Sequence, residues 1–250
     1  GRGAFLSKDH GSTWVPLFIP EDFPVVNFVS ETPDGKWFAV GQRLDRNGAV
    51  PAGKHRTAIL VSNDQGASWR VISEHDSNIT RFLRHSSGQL LIGTESLYGD
   101  AGLFFSQDGG SSWSQASLVV NDGKLRGIGE LVELSDGTLL AGTLDGRKWK
   151  ATYLKEGAFA RGGKLLASHD GGRNWRVVSE SPDWGDVKAI RAIDGTTIIA
   201  SEGANLLWSI DYGNSWVPFG KSLGFWINSI DVAADRVIIN SNQTLFESRK

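Results

Sequence analysis

Turns with apolar flanks punctuate the chain at intervals. Pro33-Asp34-Gly35, Ser86-Ser87-Gly88, Ser135-Asp136-Gly137 and Ile193-Asp194-Gly195 are each followed by a short β-rich run, such as Gln89-Leu90-Leu91-Ile92-Gly93 or Thr196-Thr197-Ile198-Ile199-Ala200. A fifth copy, Ala234-Asp235, precedes Arg236-Val237-Ile238-Ile239-Asn240. Runs this short, bounded by turn residues, predict strands joined by hairpins. Between the hairpins a second pattern, Ser-x-Asp-x-Gly-x-x-Trp, recurs at Ser7-Asp9-Gly11-Trp14, Ser62-Asp64-Gly66-Trp69, Ser106-Asp108-Gly110-Trp113, Ser168-Asp170-Gly172-Trp175 and Ser209-Asp211-Gly213-Trp216. Its aspartates return about every 50 residues on average, room for four short strands with their turns, which is the size of one propeller blade. With the strands of a unit lettered A to D, the first kind of turn joins A to B and the aspartate turn joins C to D.

The aspartate turn has a structural explanation. An aspartate heading a tight turn accepts hydrogen bonds from backbone N–H groups two or three residues on, glycine takes the positive-φ position, and tryptophan buries a large surface between blades. Asp9, Asp64, Asp108, Asp170 and Asp211, with Trp14, Trp69, Trp113, Trp175 and Trp216, are therefore expected to be structural and not catalytic. These motifs resemble the Asp-box, or BNR, repeats of the sialidase-type β-propeller superfamily, and the resemblance covers nearly the whole chain. It implies an all-β propeller of four-stranded antiparallel blades, with the Asp boxes in the C–D turns on the rim away from the ligand face. It implies no single activity, since such propellers include sialidases, other glycoside hydrolases, sorting receptors, assembly factors and binding modules.

Strand counting sets the architecture. The chain opens with a C–D pair (Ala4 to Ser7, Trp14 to Phe18), runs through four complete units, and closes with A (Ile227 to Val232), B (Val237 to Asn240) and C (Thr244 to Ser248). Ser248 aligns with the box serines, and Lys250 stands where the aspartate would fall. The expectation is one domain over residues 1–250, a five-bladed propeller whose last blade is closed by the N-terminal strand, because closure removes exposed edges. One C strand is left over, so six blades, or a place in a larger ring, is the alternative.

Composition narrows the function classes. With 31 Gly, 10 Trp, 40% hydrophobic and 22% charged residues, the chain is globular rather than disordered or fibrous. A net charge of −2 argues against a nucleic-acid partner. The absence of Cys excludes disulfides, thiolate zinc sites and cysteine nucleophiles. No apolar run approaches the roughly 18 residues of a membrane span, and residues 1–20 lack a signal-peptide layout. The five His residues show no HxH or HExxH spacing and no nucleotide motif occurs, so neither metal nor cofactor is expected. An extracellular or surface-associated location is the expectation.

Phase places the B–C and D–A loops together on the other rim, where long insertions concentrate. Arg43 and Arg46 lie in the first, and Arg147, Lys148, Trp149 and Tyr153 in the insertion Leu144 to Gly163. Trp184 and Trp226 fall on the same rim, and Arg126 stands just before an A strand. These nine residues form the expected ligand-binding set, a basic surface with indoles on which a sugar ring can stack.

The sialidase resemblance implies three convergent arginines, a Tyr–Glu nucleophile pair and an Asp acid/base. The first arginine of that family lies in an Arg-Ile-Pro motif, which this chain lacks. Arg81, Arg84 and Arg191, on predicted A strands, are the candidates for a relocated set. Of the three tyrosines, Tyr212 is inside an Asp box, leaving Tyr98 and Tyr153. No catalytic residue is assigned. The function expected is a non-catalytic binding module that presents a basic, Trp-bearing face to an acidic glycan or a protein partner, alone or within a larger assembly. The alternative is a sialidase-like glycoside hydrolase with a rearranged site.

Overall fold

A computed structural model describes residues 4–17, 19–32, 34–45, 49–52, 55–95, 101–120, 123–146, 160–180, 184–233, 236–241 and 245–249, the last of these by backbone alone. Its regular structure is all β. A hairpin of β1 (Phe5–Leu6) and β2 (Val15–Pro16) comes first. A meander of β3 (Val25–Glu31), β4 (Trp37–Gln42), β5 (Thr57–Ser62) and β6 (Arg70–His75) forms the first sheet. The second holds β7 (Asn78–Arg84), β8 (Leu90–Glu95), β9 (Leu103–Ser106) and β10 (Ser114–Gln115). Before the third, β11 (Ser117–Leu118) runs ahead to pair parallel with the outermost of β12 (Ile128–Glu133), β13 (Leu139–Thr143), β14 (Lys164–Ser168) and β15 (Asn174–Glu180). A fourth follows in β16 (Ile190–Ala192), β17 (Ile198–Glu202), β18 (Asn205–Ser209) and β19 (Val217–Pro218). The last sheet has three strands, β20 (Ile227–Ala233), β21 (Arg236–Ser241) and β22 (Leu245–Arg249).

The second strands explain the stacking. Leu90-Leu91-Ile92, Leu139-Leu140-Ala141 and Ile198-Ile199-Ala200 are buried on both faces, which is why they read as continuous apolar runs and not as alternating ones. Side chains of one parity pack toward the preceding sheet and the other toward the following one. Ile92 joins the core between the first and second sheets, while Leu91 joins that between the second and third. Leu140 and Ala200 meet between the third and fourth, and Ile199 reaches the last sheet.

All five aspartate turns close with one hydrogen-bond pattern. The serine hydroxyl donates to the aspartate at 2.7–2.8 Å and accepts the glycine N–H four residues on. The aspartate accepts the N–H of the fourth residue after it, Thr13, Ser68, Ser112, Asn174 or Ser215, and that residue's side chain besides. The reach is thus longer than the two or three residues expected, because two successive residues adopt positive φ and lengthen the loop. The residue before each glycine stands at φ 55 to 75° even where it is His10, Gln65 or Tyr212. Tryptophan Nε1 then donates to the glycine carbonyl in four turns, at 2.9–3.2 Å, while Trp69 Nε1 has no partner among the described residues.

These bonds hold the aspartates ionised. Donation by the Thr13, Ser68 and Ser112 side chains lowers Asp9, Asp64 and Asp108 from 3.8 to about 2. At Asp170 and Asp211 burial pushes upward, and the hydrogen bonds from Asn174 and Ser215 outweigh it, so both are lowered too. Groups depressed on folding stabilise the protein above their unfolded value and lose that contribution as pH falls through the folded one. Urea midpoints should hold steady down to about pH 4 and then fall steeply toward about pH 2. A midpoint flat through that window would show that the turns do not couple to stability.

Trp175 is buried, and Trp69, Trp113 and Trp216 pack against the sheet interfaces. Trp14 departs from the expectation: it is 61% exposed, and only its own ring comes near Gly11. The reason is that β1 pairs with β2 alone, so no inner pair of strands stands behind the hairpin among the described residues. Leu17, which follows β2, covers Gly66 of the first sheet as Ile72 covers Gly110 of the second. Closure of the last sheet by the N-terminal strand is not among the described pairings.

Candidate functional site

The two kinds of turn share a rim. Gln89, beside an A–B turn, donates to the carbonyl of Gly171 in an aspartate turn, and Thr138 Oγ1 lies 3.2 Å from His169 Nδ1. The opposite rim is organised by β-bulges, which re-aim side chains where a strand begins. Register shifts displace Asn27, Thr80, Gly129 and Asn228 in β3, β7, β12 and β20. Asn27 Nδ2 donates to the Ile79 carbonyl of the next sheet at 3.4 Å, and Thr80 Oγ1 to the Ile128 carbonyl of the one after at 2.7 Å. The bulge residues of the first two sheets thus grip the backbone of the sheet that follows.

A cleft of about 430 Å³ opens between the first strands of sheets one and two, lined by Val26, Asn27, Phe28, Gln42, Asn78, Ile79, Thr80 and Arg81. Gln42 Nε2 donates to Asn78 Oδ1 at 2.5 Å across its mouth. Arg81 extends from the cleft to Glu130 of the third sheet, Nε to Oε1 at 3.0 Å, and Arg191 of the fourth reaches the other oxygen, Nη1 to Oε2 at 2.8 Å. Glu130 is buried while both guanidinium groups keep contact with solvent. Three consecutive sheets thus join one carboxylate to two cations on their innermost strands, leaving one surplus positive charge.

A second network lies beside it. Arg126 Nη2 pairs with Glu95 at 2.6 Å, and Asp186 pairs with Lys188 at 3.2 Å while accepting the Asp145 N–H at 2.8 Å. Asp186 is placed by a trough without side chains. A Cβ on Gly129 would stand 2.3 Å from the Val187 carbonyl oxygen, on Gly142 2.4 Å from Val187 Cγ1, and on Gly163 2.1 Å from the Gly185 oxygen. Only glycine in β12, in β13 and just before β14 lets residues 185–187 lie this close.

Of the ligand-binding set, Arg46, Arg147, Lys148, Trp149 and Tyr153 lie outside the described residues, as does Tyr98. Arg43 is buried, paired with Glu74 and stacked 4.5 Å above the Phe23 ring, so it serves packing rather than a mouth. Trp184 packs against the core between the third and fourth sheets. Trp226, 41% exposed, presses its ring on Gly185 and Gly203. Arg126 stays on the rim in its ion pair. The cleft residues Asn27 and Gln42 and the carboxylate Glu130 were not singled out by sequence, because an isolated Asn, Gln or Glu within a strand carries no motif. Arg81 and Arg191 do stand together, though through Glu130. Among the described residues no group of His, Asp and Glu could hold a metal ion, and no helix is long and apolar enough to cross a membrane.

No known protein family matches this chain, and no curated protein does. Solved structures share its fold. YCF48 bound to D1 peptide is similar with a TM-score of 0.64 at 16% identity, over 98% of this chain and 71% of that one. The GH74 xyloglucanase from Xanthomonas campestris gives 0.65 at 16%, over 98% of this chain and 40% of its own. An ancestral GH74 enzyme gives 0.68 at 16%, over 98% and 33%. The chain therefore spans less than half the length of these GH74 enzymes. The likeness concerns architecture, and the architecture is a β-propeller.

Proposed function

We propose that this chain is a non-catalytic binding module, an Asp-box propeller of five blades, whose bulge rim receives an acidic segment of a protein partner or an acidic glycan. One observation carries the reading: Glu130 fixes Arg81, which lines the cleft together with Asn27, Gln42, Asn78 and Thr80, and joins it to Arg191 of the fourth sheet. Pre-oriented guanidinium groups bind a carboxylate at little entropic cost, and among the described residues Glu130 is the one carboxylate paired with either arginine. A peptide in one of the similar folds supports a protein partner. The walls of the cleft hold no Asp, Glu, Tyr or His, whereas glycosidic cleavage takes two carboxyl groups about 5–9.5 Å apart. The basic insertion 147–159 would extend the surface. Its base is pinched shut by Asp145 accepting the Gly162 N–H at 3.0 Å and by Gly146 donating to Ala160 at 3.1 Å, so it can be removed without opening the sheet.

The test compares the intact protein, the Arg81→Ala/Arg191→Ala double variant and the 147–159 deletion on acidic-peptide and glycan arrays. Each variant is expected to bind about tenfold more weakly or worse, and the intact protein to weaken with added salt. Unchanged binding by the double variant would sink the assignment of the cleft. The second reading, a glycoside hydrolase with a rearranged site, is favoured by the likeness to GH74 enzymes. Turnover of a fluorogenic sialoside or of xyloglucan by the intact protein would establish it instead.

A further inference from the structure

Among the described residues β7, β12 and β16 each pair with a neighbour on one side only. A free strand edge ordinarily offers its main chain to an extended peptide. Here side chains have taken the acceptors. The Gly127 carbonyl accepts the N–H of Leu144, just after β13, so the next carbonyl, of Ile128, faces the free side, and Thr80 Oγ1 holds it at 2.7 Å. Ala189 accepts the Ser201 N–H in the same way, and the Ile190 carbonyl beyond it is held by Arg191 Nη1 at 2.7 Å. In β7 the carbonyls of Ile79 and Thr80 are held by Asn27 Nδ2 and Arg81 Nη1, at 3.4 and 2.7 Å. The β7 wall of the cleft therefore has no acceptor ladder for a peptide strand to join. What the cleft still offers is carried by side chains. Gln42 Nε2 is spent on Asn78 Oδ1 and Asn27 Nδ2 on Ile79, so Gln42 Oε1 and Asn27 Oδ1 remain as acceptors and Asn78 Nδ2 as a donor. Arg81 commits Nε to Glu130 and Nη1 to Thr80, which leaves Nη2 whole.

Acceptors and a donor set together in one cleft match hydroxyl groups, each of which donates once and accepts besides. An Asp or Glu side chain only accepts, so it meets Arg81 and Asn78 and leaves Gln42 Oε1 and Asn27 Oδ1 unmatched. We propose that the occupant is a hexuronate residue of an acidic polysaccharide, an inference that rests on the cleft being the binding site. The carboxylate lies on Nη2 of Arg81, the ring hydroxyls bridge Gln42 Oε1, Asn27 Oδ1 and Asn78 Nδ2, and the C–H face of the ring rests on Phe28, which lines the same cleft. The volume of about 430 Å³ falls within the roughly 300–1,000 Å³ of small-ligand sites.

The probe is tetragalacturonate, titrated by calorimetry into the intact 250-residue protein in parallel with its methyl ester and with an end-blocked tetraglutamate peptide of equal charge. Tetragalacturonate is expected to saturate one site with a Kd below about 1 mM, and the ester and the peptide to bind about tenfold more weakly or worse. Arg81→Lys keeps the charge but loses the planar fork, and should weaken tetragalacturonate about tenfold. Gln42→Leu removes one acceptor and should weaken the uronide about tenfold while leaving the peptide titration unchanged. Asn27→Ala, at an exposed position, repeats that test if Gln42→Leu fails to fold. Ester or peptide binding as tight as that of the acid sugar overturns the proposal, and so does uronide binding that neither amide substitution weakens. The two readings fail differently. Peptide binding that is lost in Arg81→Lys, with tetragalacturonate inert, removes the hexuronate and keeps the cleft, whereas the absence of Arg81-dependent binding by either probe removes both.

Discussion

Trp175→Ala should lower the free energy of unfolding by about 3–5 kcal/mol, the usual cost of emptying a buried aromatic site. The indole is 5% exposed, packs with Leu91, Leu103, Ile128 and Leu139 of two sheets, and donates Nε1 to the Gly172 carbonyl at 2.9 Å. Alanine removes the contacts and strands the carbonyl together. The same substitution at Trp14 is the internal control. That indole ends the same Ser-x-Asp-x-Gly-x-x-Trp pattern but has no inner strands behind it among the described residues, and its loss should cost under about 1 kcal/mol. Urea titration of both variants reads the difference. Equal losses would mean that the turn alone, and not the stacking of sheets, uses the tryptophan.

Gly142→Ala should cost about 3 kcal/mol or more and should move Asp186 with it. Its added methyl would meet Val187 at 2.4 Å from Cγ1 and 2.6 Å from the carbonyl oxygen, and backbone cannot step aside as a side-chain tip can. Residues 185–187 must lift, which breaks the bond from the Asp145 N–H and the pair with Lys188. Gly195→Ala, where nothing lies within 4 Å, should be neutral or gain up to about 1 kcal/mol by restricting the unfolded chain. Comparable stability for both variants would show that the trough is not as tight as its geometry.

The fold was legible because its signals are local. A turn needs only its own eight residues, so Ser62 to Trp69 announces itself wherever it sits, and the paired turns phase four strands to each repeat. The site was legible only in fragments. Arg81 and Arg191 could be suspected from their strands, but Glu130 between them is one acid among many until three sheets are stacked. Arg43 reads as a loop cation, and burial against Phe23 and Glu74 is decided by how the loop folds back, which no spacing encodes. The trough reads even less: Gly129, Gly142 and Gly163 are three unremarked glycines in sequence, and their shared purpose exists only where residues 185–187 cross them. Trp184 shows the same limit, since a loop indole and a core indole look alike in a row of letters.

At two seams the bulge residue reaches forward for a carbonyl, Asn27 for that of Ile79 and Thr80 for that of Ile128, and a carbonyl is the one group every residue offers. The grip is therefore indifferent to which side chains the next sheet carries. A unit duplicated or lost by recombination would meet an acceptor already suited to it, so lineages built on this joint can lengthen or shorten by whole repeats without a compensating change at the seam.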